Sequence, residues 1–336
     1  MRLSNVEILR ILSMMFVVMV HLVGASLTLP DISGNLNMLD GRSLWKLSAE
    51  SVTIVGVNCF TLISGYFGIR ATLRGFVKFT LMCLFYSVGI ATCVGLLYHF
   101  KGTGFPWHEW AESWLVYSHT DLWYVPAYLG LFLLSPMLNA AATALTNRQY
   151  YYTMASFALF TVWCGWWWQG AFNPTGYTIL QLVLMYLIGG AVRRWHDSHE
   201  AMQKRHYASL GITLYTCGTL ATLILSLYLD PIKAFAYNSP AVIVASVGLL
   251  LVFISFEFRS RAINLIASTA FAVYLIHKNP YIWGGFIKPF AIKVWEATDC
   301  GGYTLFTIGF TLAVYLVCSL IDLLRQVLFS RIPYLR

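Results

Sequence analysis

Charged side chains are scarce. They make up 11% of the 336 residues, and only 14 of them are acidic, against roughly 25% charged residues in ordinary soluble domains. That shortage excludes a water-soluble globule, a coiled coil and a disordered chain. Cysteine is also sparse and lies in the wrong places for a framework. Six of the seven, Cys59, Cys83, Cys93, Cys164, Cys217 and Cys318, fall within apolar runs, and only Cys300 sits in a gap. No disulfide scaffold and no CxxC metal site follows. Repeats of 20 to 50 residues, low-complexity tracts and a soluble appendage are missing as well.

Apolar residues fill the space that charge leaves. The chain is 58% hydrophobic and 16% aromatic, with a mean hydropathy of +0.67. This is more apolar surface than one or two cores can hide, so lipid is the expected solvent for much of it. The 22 Lys and Arg give a net charge of +8 and a pI near 9.1. They occupy short gaps between apolar runs, which points to membrane topology and away from a nucleic-acid partner.

Ten apolar runs are long enough to be read as spans. They lie near residues 8–29, 49–67, 76–100, 122–142, 150–168, 177–192, 207–229, 241–256, 262–282 and 303–324. A hydrocarbon core of about 30 Å, at about 1.5 Å rise per residue, makes helices the natural reading. With the N-terminus inside, the 22 basic residues divide 15 to 7 in favour of the cytoplasmic side, and both termini come out cytoplasmic. The first run is read as a span and not as a cleaved signal peptide, because Glu7, Arg10 and His21 interrupt or flank it. The expected architecture is an all-α integral membrane protein, with residues 1–336 forming one polytopic domain.

Ionisable groups inside spans are costly, so each is a candidate for function. Arg10 and His21 are eleven positions apart, which on a helix returns them to within about 20° of the same face and separates them by about 16 Å. At that depth a neutral histidine is able to accept a proton. The competing reading is an interhelical hydrogen bond from His21 and a snorkelling Arg10. In the second run, Ser64 precedes Gly65, a pattern that suits close helix packing or a ligand's backbone approach. Arg70, Arg74 and Lys78 follow at intervals of four and on a helix would make one basic stripe, serving either as a topology anchor or as a phosphate site. His119, Asp121, Trp123 and Tyr124 gather at the mouth of the fourth run. An aromatic belt accounts for the last two without function. Trp107, Trp110 and Trp114 interleave with Glu109 and Glu112, a composition suited to a sugar or to membrane anchoring. Tyr274 and His277 close the ninth run, with His277 about 22 Å along it, against about 20 Å for His21 in the first. No histidine spacing suggests a metal.

These residues together resemble the membrane-bound acyltransferase 3 family, bacterial integral-membrane enzymes that acylate surface polysaccharides and related acceptors. The resemblance runs through Glu7-Ile8-Leu9-Arg10 with the Arg-x10-His spacing to His21, and through the segment from Phe60 to Tyr66. It continues with Leu122-Trp123-Tyr124-Val125, Leu134-Ser135-Pro136, Tyr186-Leu187-Ile188-Gly189 and Tyr274-Leu275-Ile276-His277. It implies that Arg10 and His21 are the catalytic pair, that cytoplasmic acyl-CoA is the donor, and that the protein sits in the bacterial inner membrane. Some members carry Arg-x-x-Arg after the second span, whereas here Arg70 and Arg74 are one residue further apart. The expected reaction is transfer of an acyl group, most simply acetyl, from acyl-CoA to a glycan or glycolipid hydroxyl, with His21 as general base. Arg70, Arg74, Lys78 and Ser64 are the candidates for the donor site. Glu7, His119, Asp121, Trp123, Tyr124, Tyr274 and His277 are the candidates for acceptor contacts or support. The rival expectation is a transporter or flippase for a polar lipid-linked sugar.

Overall fold

The computed structural model describes residues 3–118, 122–170, 172–198 and 204–331, and among these the regular structure is helical, with no strand. In chain order the helices are α1 (Ser4–Val20), α2 (Gly41–Thr53), α3 (Gly56–Phe67), α4 (Leu73–Phe100), α5 (Trp107–Glu112), α6 (Tyr124–Ala144), α7 (Asn147–Phe160) and α8 (Ile179–Ser198). They continue with α9 (Lys204–Tyr228), α10 (Pro231–Ala234), α11 (Pro240–Ile254), α12 (Arg261–Ser268), α13 (Ala270–His277), α14 (Pro280–Ile282), α15 (Lys288–Ala297) and α16 (Cys300–Ser330). Each apolar run of the sequence coincides with one helix or with two or three in succession. Among the described residues, six stretches are long and apolar enough to cross a membrane: Ser4–Ala25, Gly41–Phe67, Leu73–Phe100, Tyr124–Ala144, Lys204–Tyr228 and Cys300–Ser330.

The helix starts follow local chemistry. The side chains of Asp40, Thr72 and Asp299 accept from the backbone N–H groups of Ser43, Gly75 and Gly302, and Thr146 with Gln149 forms a reciprocal capping box at α7. Asp40 explains why α2 begins eight residues before the apolar run does. The accepted hydrogen bond at this exposed site holds its carboxyl below the ordinary carboxylate range.

The chain forms two compact units. The first comprises Met1–Arg70 with Gly130–Ala267, and the second comprises Ala71–Leu129 with Ser268–Arg336. In the first unit, α3 and α8 approach closely because Gly65 and Gly189 lack side chains. A Cβ on Gly65 would run into the Tyr186 carbonyl, and one on Gly189 into the backbone of Leu62 and Tyr66. Helices α9 and α11 meet in the same way at Gly211 and Gly248. The start of α1 is tied to α12 and to the turn before it, as Ser4 Oγ donates to Asn264 Oδ1 at 2.9 Å and accepts from Ser260 N at 2.7 Å. In the second unit α13 packs on α4 and α16. Thr269 and Ser319 share a hydroxyl hydrogen bond of 2.7 Å, and Trp110 Nε1 on α5 donates to Thr92 Oγ1 on α4 at 2.8 Å.

Two features depart from the sequence reading. The ninth run is not one helix but is interrupted at Thr269 between α12 and α13, so an axial height for His277 counted from its start does not hold. The basic stripe is also shorter than expected. Gly68, at φ 76°, ends α3 in a conformation that favours glycine, and α4 starts only at Leu73, which leaves Arg70 in the link and Arg74 with Lys78 on the helix.

Candidate functional site

The first unit holds Arg10, His21, Glu7 and Ser64. Because α1 is regular from Ser4 to Val20, the eleven-residue spacing keeps Arg10 and His21 on one face. Arg10 Nη1 donates to Glu7 Oε2 at 2.6 Å, and Glu7 is buried while Arg10 is partly exposed. One turn of α1 therefore fixes the guanidinium with a charge-assisted bond.

At His21 the helix loosens into a π-helical turn, His21–Ala25. Such turns carry an extra residue and cluster at functional sites. Ser26 Oγ donates to the His21 carbonyl at 3.0 Å and so supplies a partner where the helical ladder is disturbed. The turn and the residues just after it are held by two side chains of α2. Lys46 Nζ donates to the carbonyls of Leu27 at 3.1 Å and Thr28 at 3.3 Å. Glu50 places its carboxyl directly against Gly24, where an added Cβ would stand 2.6 Å from Oε1. Glu50 is only 3% exposed, and its Oε2 has no hydrogen-bond partner among the described residues. An acid held in that way is costly to bury. Sequence reasoning passed over it, although it lies inside an apolar run and the rule that selected Arg10 and His21 selects it too.

Ser64 Oγ donates to the Phe60 carbonyl of its own helix at 3.1 Å, and its neighbour Gly65 serves the α3 to α8 approach. A second polar set was also missed. Asn58 on α3 and Gln181 on α8 both donate to the Tyr237 carbonyl, at 2.9 and 2.8 Å, and Gln181 Nε2 also reaches Asn58 Oδ1 at 3.2 Å. Asparagine and glutamine carry no charge, so the sequence offers only their position within apolar runs as a signal.

In the second unit Tyr124, Tyr274 and His277 come together. The Tyr124 ring lies 6.1 Å from that of Tyr274, which is 6.2 Å from the His277 imidazole. Tyr124 is 9% exposed and stacks with Tyr128, so its place is in the packed interior and not in an interfacial belt. Trp123 meets it edge to face at 5.7 Å. His277 is buried, and its Nδ1 lies 2.6 Å from the Val273 carbonyl. A carbonyl only accepts, so the imidazole hydrogen sits on Nδ1. His119 and Asp121 lie outside the described residues.

Several cavities open in this unit, and two of them bear on the site. One of about 250 Å³ is lined by Glu109, Glu112, Ser87, Asn279 and Tyr281, and includes no basic residue. The other, of about 480 Å³, includes Lys78 and Arg325. Lys78 and Ser87 are nine residues apart on α4, about 14 Å along its axis, so the two cavities stand at different depths of the same unit.

The model of a family described as an acyltransferase domain, acyltransferase 3, matches residues 3–323. Comparison with curated proteins and with solved structures returned no match.

Proposed function

Because the chain belongs to the acyltransferase 3 family and is therefore a membrane acyltransferase, we propose that it moves an acyl group from acyl-CoA to a hydroxyl of a glycan or glycolipid. The observation that carries this reading is the α1 arrangement. Arg10, held by Glu7, shares a helix face with His21, and His21 opens a π-helical turn braced by a buried carboxyl.

In this mechanism His21 takes the proton of the acceptor hydroxyl as its oxygen attacks the thioester carbonyl. The new C–O bond forms, the C–S bond breaks, and the CoA thiolate leaves and regains a proton. Arg10 offsets negative charge that develops on the donor. Glu50 is a positioning residue, fixing the turn from which His21 projects. Arg74 and Lys78 attract the donor phosphates. The acidic cavity of Glu109, Glu112, Asn279 and Tyr281 suits an acceptor rich in hydroxyls, since carboxylates and an amide carbonyl accept from them.

The topology that goes with this reading has ten spans and both termini in the cytoplasm of a bacterial cell. The donor then comes from inside, and the acceptor faces the opposite side.

The test is release of free thiol from acetyl-CoA by the purified full chain in detergent, with a bacterial glycan extract as acceptor. Release that disappears in a folded His21→Ala variant is the expected result. Full activity in that variant removes His21 from the mechanism. No release with any of several acyl-CoAs and extracts removes the acyl-CoA reading, and sugar flux across vesicles without thioester loss then favours transport.

A further inference from the structure

The larger cavity of the second unit lies between the first turns of α4 and the last turns of α16, lined by Lys78, Phe79, Arg325, Gln326, Phe329 and Ser330. Its charged lining is cationic. Lys78 and Arg325 supply it and no carboxylate lines it, while Gln326 Nε2 donates to Asp322 Oδ2 and Ser268 Oγ and Ser330 Oγ donates to the Val327 carbonyl. The nearest acid stands behind this wall. Asp322 is 0% exposed and accepts three hydrogen bonds, from Tyr86 Oη at 2.6 Å, Arg325 Nε at 2.7 Å and Gln326 Nε2 at 2.7 Å.

One carboxylate thereby does two things. Through Tyr86 it pins α16 to α4, and through Arg325 it orients a cation that lines the cavity. A pin alone requires only the tyrosine. Burying a carboxylate with an arginine is costly unless the remaining bonds are satisfied, and here they are satisfied by residues that also line the cavity. Arg325 is further braced over the Phe329 ring at 5.2 Å. Fixed cationic donors in a cavity without an acid, beside apolar walls, are the chemistry that recognises a phosphate ester carried on an apolar or planar group. The volume lies within the range of roughly 300–1,000 Å³ common to small-molecule sites.

We propose that this cavity is a phosphate-ester site, with Lys78 and Arg325 as its donors and Asp322 as the residue that positions Arg325. Two sources supply that chemistry: the nucleotide part of CoA, which rests on the acyl-CoA reading above, or the headgroup of an anionic lipid. Neither Arg325 nor Gln326 stands out in the sequence, because both lie just past the end of the last apolar run.

The experiment uses the full chain in phosphatidylcholine nanodiscs with CoA as the probe, followed by calorimetry. The variants are Lys78→Gln, Arg325→Lys and, as a control among cations elsewhere, Arg205→Gln. Lys78 is exposed, so its replacement leaves folding intact even if Arg325→Lys does not. Expected is a loss of CoA affinity of about tenfold for each of the first two and no change for the control. In that event the nucleotide is the source. If CoA does not bind, but phosphatidylglycerol nanodiscs raise the melting temperature of the wild type and not of Lys78→Gln, the site stands with a lipid headgroup as its source, and the acyl-CoA reading falls. Equal CoA affinity in wild type, Lys78→Gln and Arg325→Lys overturns the site while leaving the donor reading intact. Insensitivity to both CoA and phosphatidylglycerol overturns the site as well.

Discussion

At the scale of single residues, the contact between Gly24 and Glu50 is the most informative. A methyl at Gly24 meets the carboxyl at 2.6 Å, and overpacking of that kind costs about 1–3 kcal/mol. Gly24→Ala is expected to lower the thermal midpoint of the detergent-solubilised protein. Glu50→Ala removes the group that the methyl would meet, and with it both an acceptor of the Gly24 N–H and a buried oxygen without a hydrogen-bond partner, so it is expected to cost little stability by itself and to rescue Gly24→Ala in the double variant. If Glu50 positions His21, the same substitution lowers turnover while stability is kept, which separates function from folding. Additive losses in the double variant would show that the two groups do not touch in solution.

At the scale of elements, the α3 to α8 pair depends on backbone contact without side chains. Membrane helices gain little from hydrophobic burial against one another, and close packing takes its place. Gly65→Leu would force the helices apart at Tyr186, and with them Asn58 and Gln181, whose shared acceptor is the Tyr237 carbonyl. The expected outcome is loss of the monodisperse peak in size-exclusion chromatography. Ser64→Ala, whose hydroxyl bonds only within its own helix, should leave that peak unchanged. A normal peak for Gly65→Leu would show that the close approach is dispensable.

At the scale of the whole molecule, the prediction concerns topology. The ten-span reading places the segment near His206 on the cytoplasmic side, together with Arg148 and Arg331, and the segment near Lys233 on the other. Single cysteines introduced at His206 and Lys233, in a chain whose own seven are replaced, should be labelled by an impermeant maleimide from opposite faces of right-side-out vesicles. Labelling of both from one face would remove a span and with it the separation of donor and acceptor.

The sequence alone determined the solvent, the helical class, the position of the apolar runs and the family motifs, because these depend on composition and on spacing along one chain. It also singled out Arg10 and His21, since a charge inside an apolar run is visible without any neighbour. Glu50 was legible by the same rule and was masked by its place at the edge of a run. Its contact with Gly24 was not legible, because that joins two helices through a turn whose widening appears only once the backbone is built. The break at Thr269, the short basic stripe and the interior place of Tyr124 were likewise decided by tertiary structure, which settles where a helix stops and which face is covered. Asp322 is the clearest case. In the sequence it is one acid near the end of a span, and only the packing of α16 on α4 makes it the common acceptor of Tyr86, Arg325 and Gln326.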